Sequence, residues 1–233
     1  MTAKRALAVM AHPDDVDFGA AGTVARWVDE GWDVRYVVVT SGQKGSPDPR
    51  ADPEEYGAMR QAEQRAAAAA VGVTDVVFLG WCDSELVDCP ALRRDVAREF
   101  RRHRPHRLLT MDPGLLLTDT FINHPDHRLV GTIALDTTLT GGTTGAIFPE
   151  LALREGLDPW RDLEEVWLAG PAGGEAVVDI SAVVDRKWRA LAAHASQVDG
   201  KEVRALLAPM LAERGRPHGY AYAESFRVIR LRG

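Results

Sequence analysis

Residues 5–19 read RALAVMAHPDDVDFG: an apolar run that breaks into His12-Pro13-Asp14-Asp15 before a helical pattern begins. Residues 5–11 predict a buried β-strand, and Gly19 to Glu30 predict a helix stopped by Gly31. Two adjacent carboxylates at such a junction can cap a helix, hold a metal ion or move a proton. The rest of the chain has to decide between these.

Working outward, the same alternation recurs. DVRYVVVT (33–40) is a second strand, followed by the loop SGQKGSPDPRADP. A helix over Pro53 to Val71 ends at Gly72, and DVVFLG (75–80) is a third strand. Pro90 opens a helix through Arg102, and RLLTM (107–111) is a fourth strand. Near-continuous apolar strands alternating with helices indicate a parallel sheet covered on both faces. The expected fold class is therefore α/β, a Rossmann-like, mostly parallel sheet flanked by helices. Ligands of such sheets bind beyond the carboxyl ends of the strands. That gathers His12 to Asp15, Ser41 onward, Trp81 to Asp83 and the loop after Met111 at one edge.

After Val130 the pattern loosens. Residues 139–160 hold Gly141, Gly142, Gly145 and two prolines and read as a long loop or lid. EEVWLAG (164–170) predicts a strand, Ser181 to His194 and Lys201 to Arg214 predict helices, and SFRVIRL (225–231) predicts a closing strand. No internal repeat, low-complexity segment or linker interrupts residues 1–233, so a single domain is expected.

Composition excludes several classes. In 233 residues, 45% are apolar, enough for a packed core, and the net charge of −6 argues against a nucleic-acid partner. No apolar stretch approaches the roughly 20 residues that span a bilayer. The N-terminus has a short basic start and a short apolar run, but the run ends in His-Pro-Asp-Asp rather than a small-residue cleavage site. A soluble, cytoplasmic protein without membrane insertion is expected. Cys82 and Cys89 are too few for a disulfide framework and lack zinc-knuckle spacing.

A hydrolytic zinc site commonly uses three protein ligands and leaves the fourth position to water, whose pKa falls to about 7. His12 and Asp15, three apart across a strand-to-helix turn, can point at one spot. Two His-x-x-His segments could complete the set, HRPH (103–106) and HPDH (124–127). The first lies among Arg101, Arg102, Arg104 and Arg107, where a cation would meet several positive charges. The second carries Asp126 and follows the fourth strand, on the edge that holds His12, so it is the expected partner. Asp14 or Asp15 alone would also make an N-cap, as would Asp126 for HRLVGTIALD. If the pair is catalytic, one carboxylate binds the ion while the other faces the water. His124 and His127 would divide between an acid or oxyanion donor and a ligand, with Asp126 orienting a histidine and raising its pKa.

AHPDD with a later HPDH resembles the LmbE-like (PIG-L) family of zinc-dependent N-acetylglucosamine de-N-acetylases. The likeness extends through TSGQKG, MRQAEQRAAAAAVGVTDVVFLGWCDSEL, DISAVVDRKWRALAAHASQ and YAYAESFRV. The resemblance implies zinc held by His12, Asp15 and His127, with Fe2+ as the alternative ion in the cell. It implies Asp14 as general base and His124 as the residue that stabilises the oxyanion and protonates the leaving amine, supported by Asp126. Arg60 and Asp83 fall where relatives contact the sugar or its aglycone. The implied reaction removes the N-acetyl group from a GlcNAc-containing small molecule. Cleavage of a thiol-sugar conjugate, as in mycothiol detoxification, is the alternative within the family, and an inactive sugar-binding protein the alternative outside it. Relatives range from monomers to hexamers, so a homo-oligomer is among the expected states.

One departure stands out. PGLLLTDTFIN before His124 is apolar, and Ile122 occupies a position where some relatives use a tyrosine at the oxyanion. HASQ (194–197) offers a Ser-His pair but no GxSxG elbow accompanies it, so it reads as a helix end that packs or hydrogen-bonds locally. TGGTTG (140–145) lacks the Lys-Ser/Thr of a phosphate loop and reads as part of the flexible loop.

Overall fold

The computed structural model describes residues 4–170 and 174–231; the first three residues of the basic start lie outside the described residues. The elements run β1 (Arg5–Met10), α1 (Asp15–Asp29), β2 (Asp33–Thr40), α2 (Pro53–Val71), β3 (Asp75–Trp81), α3 (Pro90–His103), β4 (Arg107–Met111) and α4 (Pro125–Leu139). They continue with α5 (Pro149–Leu153), β5 (Glu165–Ala169), β6 (Ala176–Asp179), α6 (Val184–Ala192), α7 (Gly200–Gly215) and β7 (Ala223–Arg230). The sheet order is β3-β2-β1-β4-β5-β7-β6. The first five strands pair in parallel, and β7 runs antiparallel to both β5 and β6.

β1 shows why its hydropathy is continuous. Ala6, Ala8 and Met10 pack with Ala20 and Val24 of α1 and Ala67 and Val71 of α2. Leu7, Val9 and Ala11 face Val96 and Phe100 of α3 and Ile133 of α4. With both faces buried, period-two alternation disappears from the sequence. From β1 the chain builds outward through β2 and β3, then returns to place β4 on the other side of β1. The crevice beyond the carboxyl ends of β1 and β4 is thus the topological switch point, where open α/β sheets bind ligands. Gly131 lets α4 pack against β4: a Cβ there would stand 2.5 Å from the carbonyl oxygen of Met111.

Several expectations change. Helix α1 begins at Asp15, four residues before Gly19, which brings Asp15 into its first turn. The helix expected over Ser181 to His194 is shorter, and β6 and α5 were not anticipated. Residues 139–160 do not stand over the site as a lid. They follow the far end of α4, and Trp160 donates to the carbonyl of Pro105, at the opposite sheet edge. Arg101, fully buried on α3, ties the segment down, donating to the carbonyls of Gly141 (2.8 Å), Thr144 (2.9 Å) and Ile147 (2.7 Å). Among the described residues no helix is long and apolar enough to cross a membrane, and both cysteines are free.

Candidate metal centre and active site

The opening stretch does not cap its helix through Asp14. Asp14 precedes α1 with φ 90° and ψ −27°, a left-handed conformation rare outside glycine, and its side chain makes no capping bond. Its carbonyl instead accepts from the N–H groups of Asp17 (2.8 Å) and Phe18 (3.0 Å). Asp15 turns the other way: its Oδ2 accepts from the N–H groups of Ala11 (3.1 Å) and His12 (2.8 Å). At the second cluster the cap is His124, whose Nδ1 accepts from the N–H of Asp126 at 3.2 Å, with Pro125 opening α4.

Three donor groups converge. Nδ1 of His12 lies 3.2 Å from Nε2 of His127, and Oδ1 of Asp15 lies 3.0 Å from that Nε2. Asp15 Oδ2 is 3.6 Å from Nδ1 of His12. Ligands about 2.0–2.1 Å from a tetrahedral ion stand roughly 3.3 Å apart; the His12–His127 and Asp15–His127 separations suit that, while Asp15 approaches His12 through its other oxygen. The outer contacts fit as well. Nδ1 of His127 is 3.0 Å from Oδ1 of Asn123, and Nε2 of His12 is 3.2 Å from Asp83 Oδ1 and 3.4 Å from Asp126 Oδ2. These outer oxygens accept from the ring N–H, which leaves the inward nitrogen with a free lone pair. Among the described residues, two overlapping groups whose donor atoms lie within 4.8 Å of one another could hold a metal: His12 with His124 and His127, and His12 with Asp83 and Asp126.

The charges show what the cluster lacks. Burial opposes a charged His12, yet the carboxylates of Asp126, Asp15 and Asp83 outweigh it and push the imidazole up to about 12. A positive charge is wanted there, from a proton or a metal ion. Burial would raise Asp15, but His127 and His12 hold it well below the usual carboxylate range. Asp14 behaves oppositely: burial, then repulsion from Asp15, pushes it up to about 7, and Arg60 opposes the rise. A carboxyl near 7 is poised for proton transfer at neutral pH.

Burial, then the neighbouring His12, holds His124 below the ordinary imidazole range although Asp126 pulls the other way. The carboxylate of Asp126 accepts from the N–H of Ser84 (2.8 Å) and faces His12, so its pull on His124 toward imidazolium, as expected in direction, is outweighed. Arg60 is not a surface residue. It is 4% exposed, and its guanidinium donates to the carbonyls of Gly42 (3.0 Å) and Pro13 (2.8 Å) and to Asp14 Oδ2 (3.1 Å). Gly42, at φ 59°, leaves the room: a Cβ there would sit 2.0 Å from the guanidinium. Asp83 is buried behind His12 and also accepts from the N–H of Lys44 at 3.2 Å.

The HRPH histidines lie at the opposite sheet edge, His103 against the carbonyl of Ala6 and His106 accepting from the N–H of Arg5. HASQ bonds locally, the N–H of Gln197 donating to the carbonyl of His194 at 2.9 Å, and also reaches away: His194 meets Asp17, and Ser196 meets Glu63. Asn123 and Gln64 escaped the sequence reading. A lone amide ending an apolar loop next to HPDH was the available signal for Asn123. For Gln64 it was the spacing of Tyr56, Arg60, Glu63 and Gln64, which puts all four polar residues on one face of α2.

The family model described as PIG-L: GlcNAc-PI de-N-acetylase matches residues 7–138. A diacetylchitobiose deacetylase of Thermococcus kodakarensis is 31% identical over 230 residues, covering 97% of this chain and 83% of the relative. A 1D-myo-inositol 2-acetamido-2-deoxy-alpha-D-glucopyranoside deacetylase of Mycobacterium sp. (strain JLS) is 30% identical, covering 83% of this chain and 74% of the relative. The solved N,N'-diacetylchitobiose deacetylase of Pyrococcus horikoshii, complexed with its inhibitor MPG, superposes with a TM-score of 0.88 at 28% identity. That match covers 98% of this chain and 85% of that structure.

Proposed function

This chain belongs to the PIG-L (GlcNAc-PI de-N-acetylase) family, and from that premise we propose that it is a metal-dependent hydrolase removing the acetyl group from an N-acetylglucosamine-containing small molecule. The observation that carries the reading is the convergence of His12, Asp15 and His127 within 3.0–3.6 Å at the switch point of the sheet. These three residues would hold a divalent ion, Zn2+ by their nitrogen and oxygen donor set, with Fe2+ the other candidate in the cell. Asp83 and Asp126 orient His12, and Asn123 orients His127. When bound, the ion supplies Lewis-acid polarisation of the amide carbonyl and lowers the pKa of water.

The protein's own groups do the rest. Asp14 takes a proton from the water that adds to the acyl carbon. His124 accepts from Asp126 N–H through Nδ1, so its ring proton sits on Nε2, where it donates to the oxygen that gains negative charge. Oxyanion donors of this kind contribute about 3–4 kcal/mol. The C–N bond then breaks, the proton that Asp14 took from the water passes to the departing amine, His124 keeps its single ring proton as the oxyanion donor, and acetate remains. Arg60 and Asp83, first assigned to sugar contacts, fit better as supports of Asp14 and His12. The hairpin before His124, closed by a bridge between Leu117 and Ile122, exposes Leu116, Leu117, Phe121 and Ile122 and favours an apolar aglycone.

The test is amine release from a panel of N-acetylglucosaminides by metal-stripped and Zn2+-reconstituted protein, with Asp14→Asn alongside. Deacetylation that appears with the ion and collapses in Asp14→Asn, at unchanged metal content, supports the reading. No turnover of any N-acetyl sugar by fully loaded protein would overturn it.

A further inference from the structure

Behind Asp14 lies a set of buried polar side chains that the proposed chemistry does not use. Gln64, on α2, is fully buried; its Oε1 accepts from the backbone N–H of Asp14 at 2.8 Å, and its Nε2 donates to Asp17 Oδ2 at 2.8 Å. The same carboxylate oxygen accepts from Nε2 of His194 at 2.9 Å, with both side chains fully buried. The order of donors and acceptors is determined throughout. The Asp14 amide can only donate, so Gln64 must present its oxygen, and its remaining Nε2 can only donate, so Asp17 Oδ2 accepts.

His194 is itself anchored. The turn that carries it is pinned to α2, where Ser196 bonds Glu63 through its N–H (2.8 Å) and its hydroxyl (2.7 Å). Gln197 donates to the hydroxyl of Tyr56 at 2.6 Å.

The bond ends on Asp14, one of two non-glycine residues of the site with positive φ, the other being Ser84. A non-glycine residue in a sparsely populated backbone region persists only where its surroundings over-determine it. The left-handed step at Asp14 also sends the two adjacent carboxylates to different partners. Asp15 faces Ala11, His12 and His127, whereas Asp14 faces Arg60.

We propose that Gln64, backed by Asp17 and His194, is a positioning residue that holds the Asp14 backbone in this conformation and thereby sets turnover, without touching substrate or metal. The proposal rests on the reading of Asp14 as the general base. Gln64→Met removes both hydrogen bonds at nearly constant volume. It should stay folded by thermal unfolding, keep its metal by elemental analysis and keep KM within about twofold, while kcat falls about 10- to 100-fold, the cost of misplacing a catalytic group by about an ångström.

A double-mutant cycle separates positioning from a general structural loss. Because Gln64 acts through Asp14, adding Gln64→Met to Asp14→Asn should change the residual kcat by no more than about twofold. A wild-type kcat in Gln64→Met, or the same fractional loss in both backgrounds, overturns the proposal. Full activity of Asp14→Asn would sink the base assignment, and the proposal with it, whatever Gln64→Met does.

Should Gln64→Met not fold, reversing the polarity keeps the volume. Gln64→Glu with Asp17→Asn retains an acceptor for Asp14 and a donor between the two side chains, and Nδ1 of His194, which has no partner among the described residues, can take the ring proton. That pair should recover to within about fivefold of wild type, whereas Gln64→Glu alone, setting two carboxylates against each other, should not. Equal activity of the single and the paired variants would overturn the proposal.

Discussion

The carboxylate of Asp126 stands 3.4 Å from Nε2 of His12, a residue 114 positions away, while only its backbone N–H reaches His124, two positions before it. Asp83 meets the same ring nitrogen at 3.2 Å. Two carboxylates therefore back one candidate ligand, which directs the lone pair of Nδ1 inward.

Removing either carboxylate should act on the metal before it acts on chemistry. Asp126→Asn and Asp83→Asn are expected to weaken metal binding by about 10- to 100-fold, with activity restored at saturating ion. Competition with a chelating dye measures the affinity. Lost turnover at unchanged affinity would instead put Asp126 in a catalytic step.

The Arg60–Asp14 pair predicts a pH effect of definite sign. As the proposed base, Asp14 would work when ionised, so activity should rise with pH through its pKa. Burial and Asp15 raise that pKa, and Arg60 lowers it. Arg60→Met should therefore move the acid limb of the kcat/KM profile to higher pH, and Arg60→Lys should leave it nearer its original place. An acid limb that stays put in Arg60→Met would mean that another group titrates there.

Lys187 and Glu224 form a fully buried ion pair at 2.8 Å. The ammonium also donates to the carbonyls of Asp17 and Phe18, while Glu224 accepts from the N–H groups of Gly22 and Thr23. The pair thus ties α6 and β7 to the first turns of α1. Lys187→Met leaves Glu224 buried without its cation and should cost about 3–5 kcal/mol in denaturant unfolding. A change below 1 kcal/mol would show that the pair contributes little.

Arg101 supplies a test at the far edge of the sheet. Arg101→Met strands the carbonyls of Gly141, Thr144 and Ile147, which should cost at least about 3 kcal/mol. Hydrogen exchange should speed up across 140–160, while kcat per folded molecule stays the same. A selective loss of kcat would restore a lid role to that segment.

The exposed hairpin makes a prediction about substrate. Leu116→Ser with Leu117→Ser should lower kcat/KM for glucosaminides with apolar aglycones by about tenfold, the value of roughly 1–2 kcal/mol of apolar burial, and leave free N-acetylglucosamine unaffected. Equal losses on both would detach the hairpin from specificity.

Much of this was legible along the chain. Apolar strands of continuous hydropathy, helices stopped by Gly31 and Gly72, and two His-Pro-Asp clusters after β1 and β4 marked an α/β sheet and one ligand edge. These signals are local, set by backbone periodicity and by a few residue types at short spacing. Tertiary structure decided the rest, because it depends on contacts between residues far apart in sequence. Gln64 sits among Gln61, Glu63 and Arg65 in the sequence; its burial against Asp14 and Asp17 of a distant segment appears only in the fold. The opening Asp14–Asp15 pair shows the same division. The sequence made the two carboxylates adjacent. The left-handed backbone at Asp14, held from Gln64 fifty residues away, turned them toward different partners.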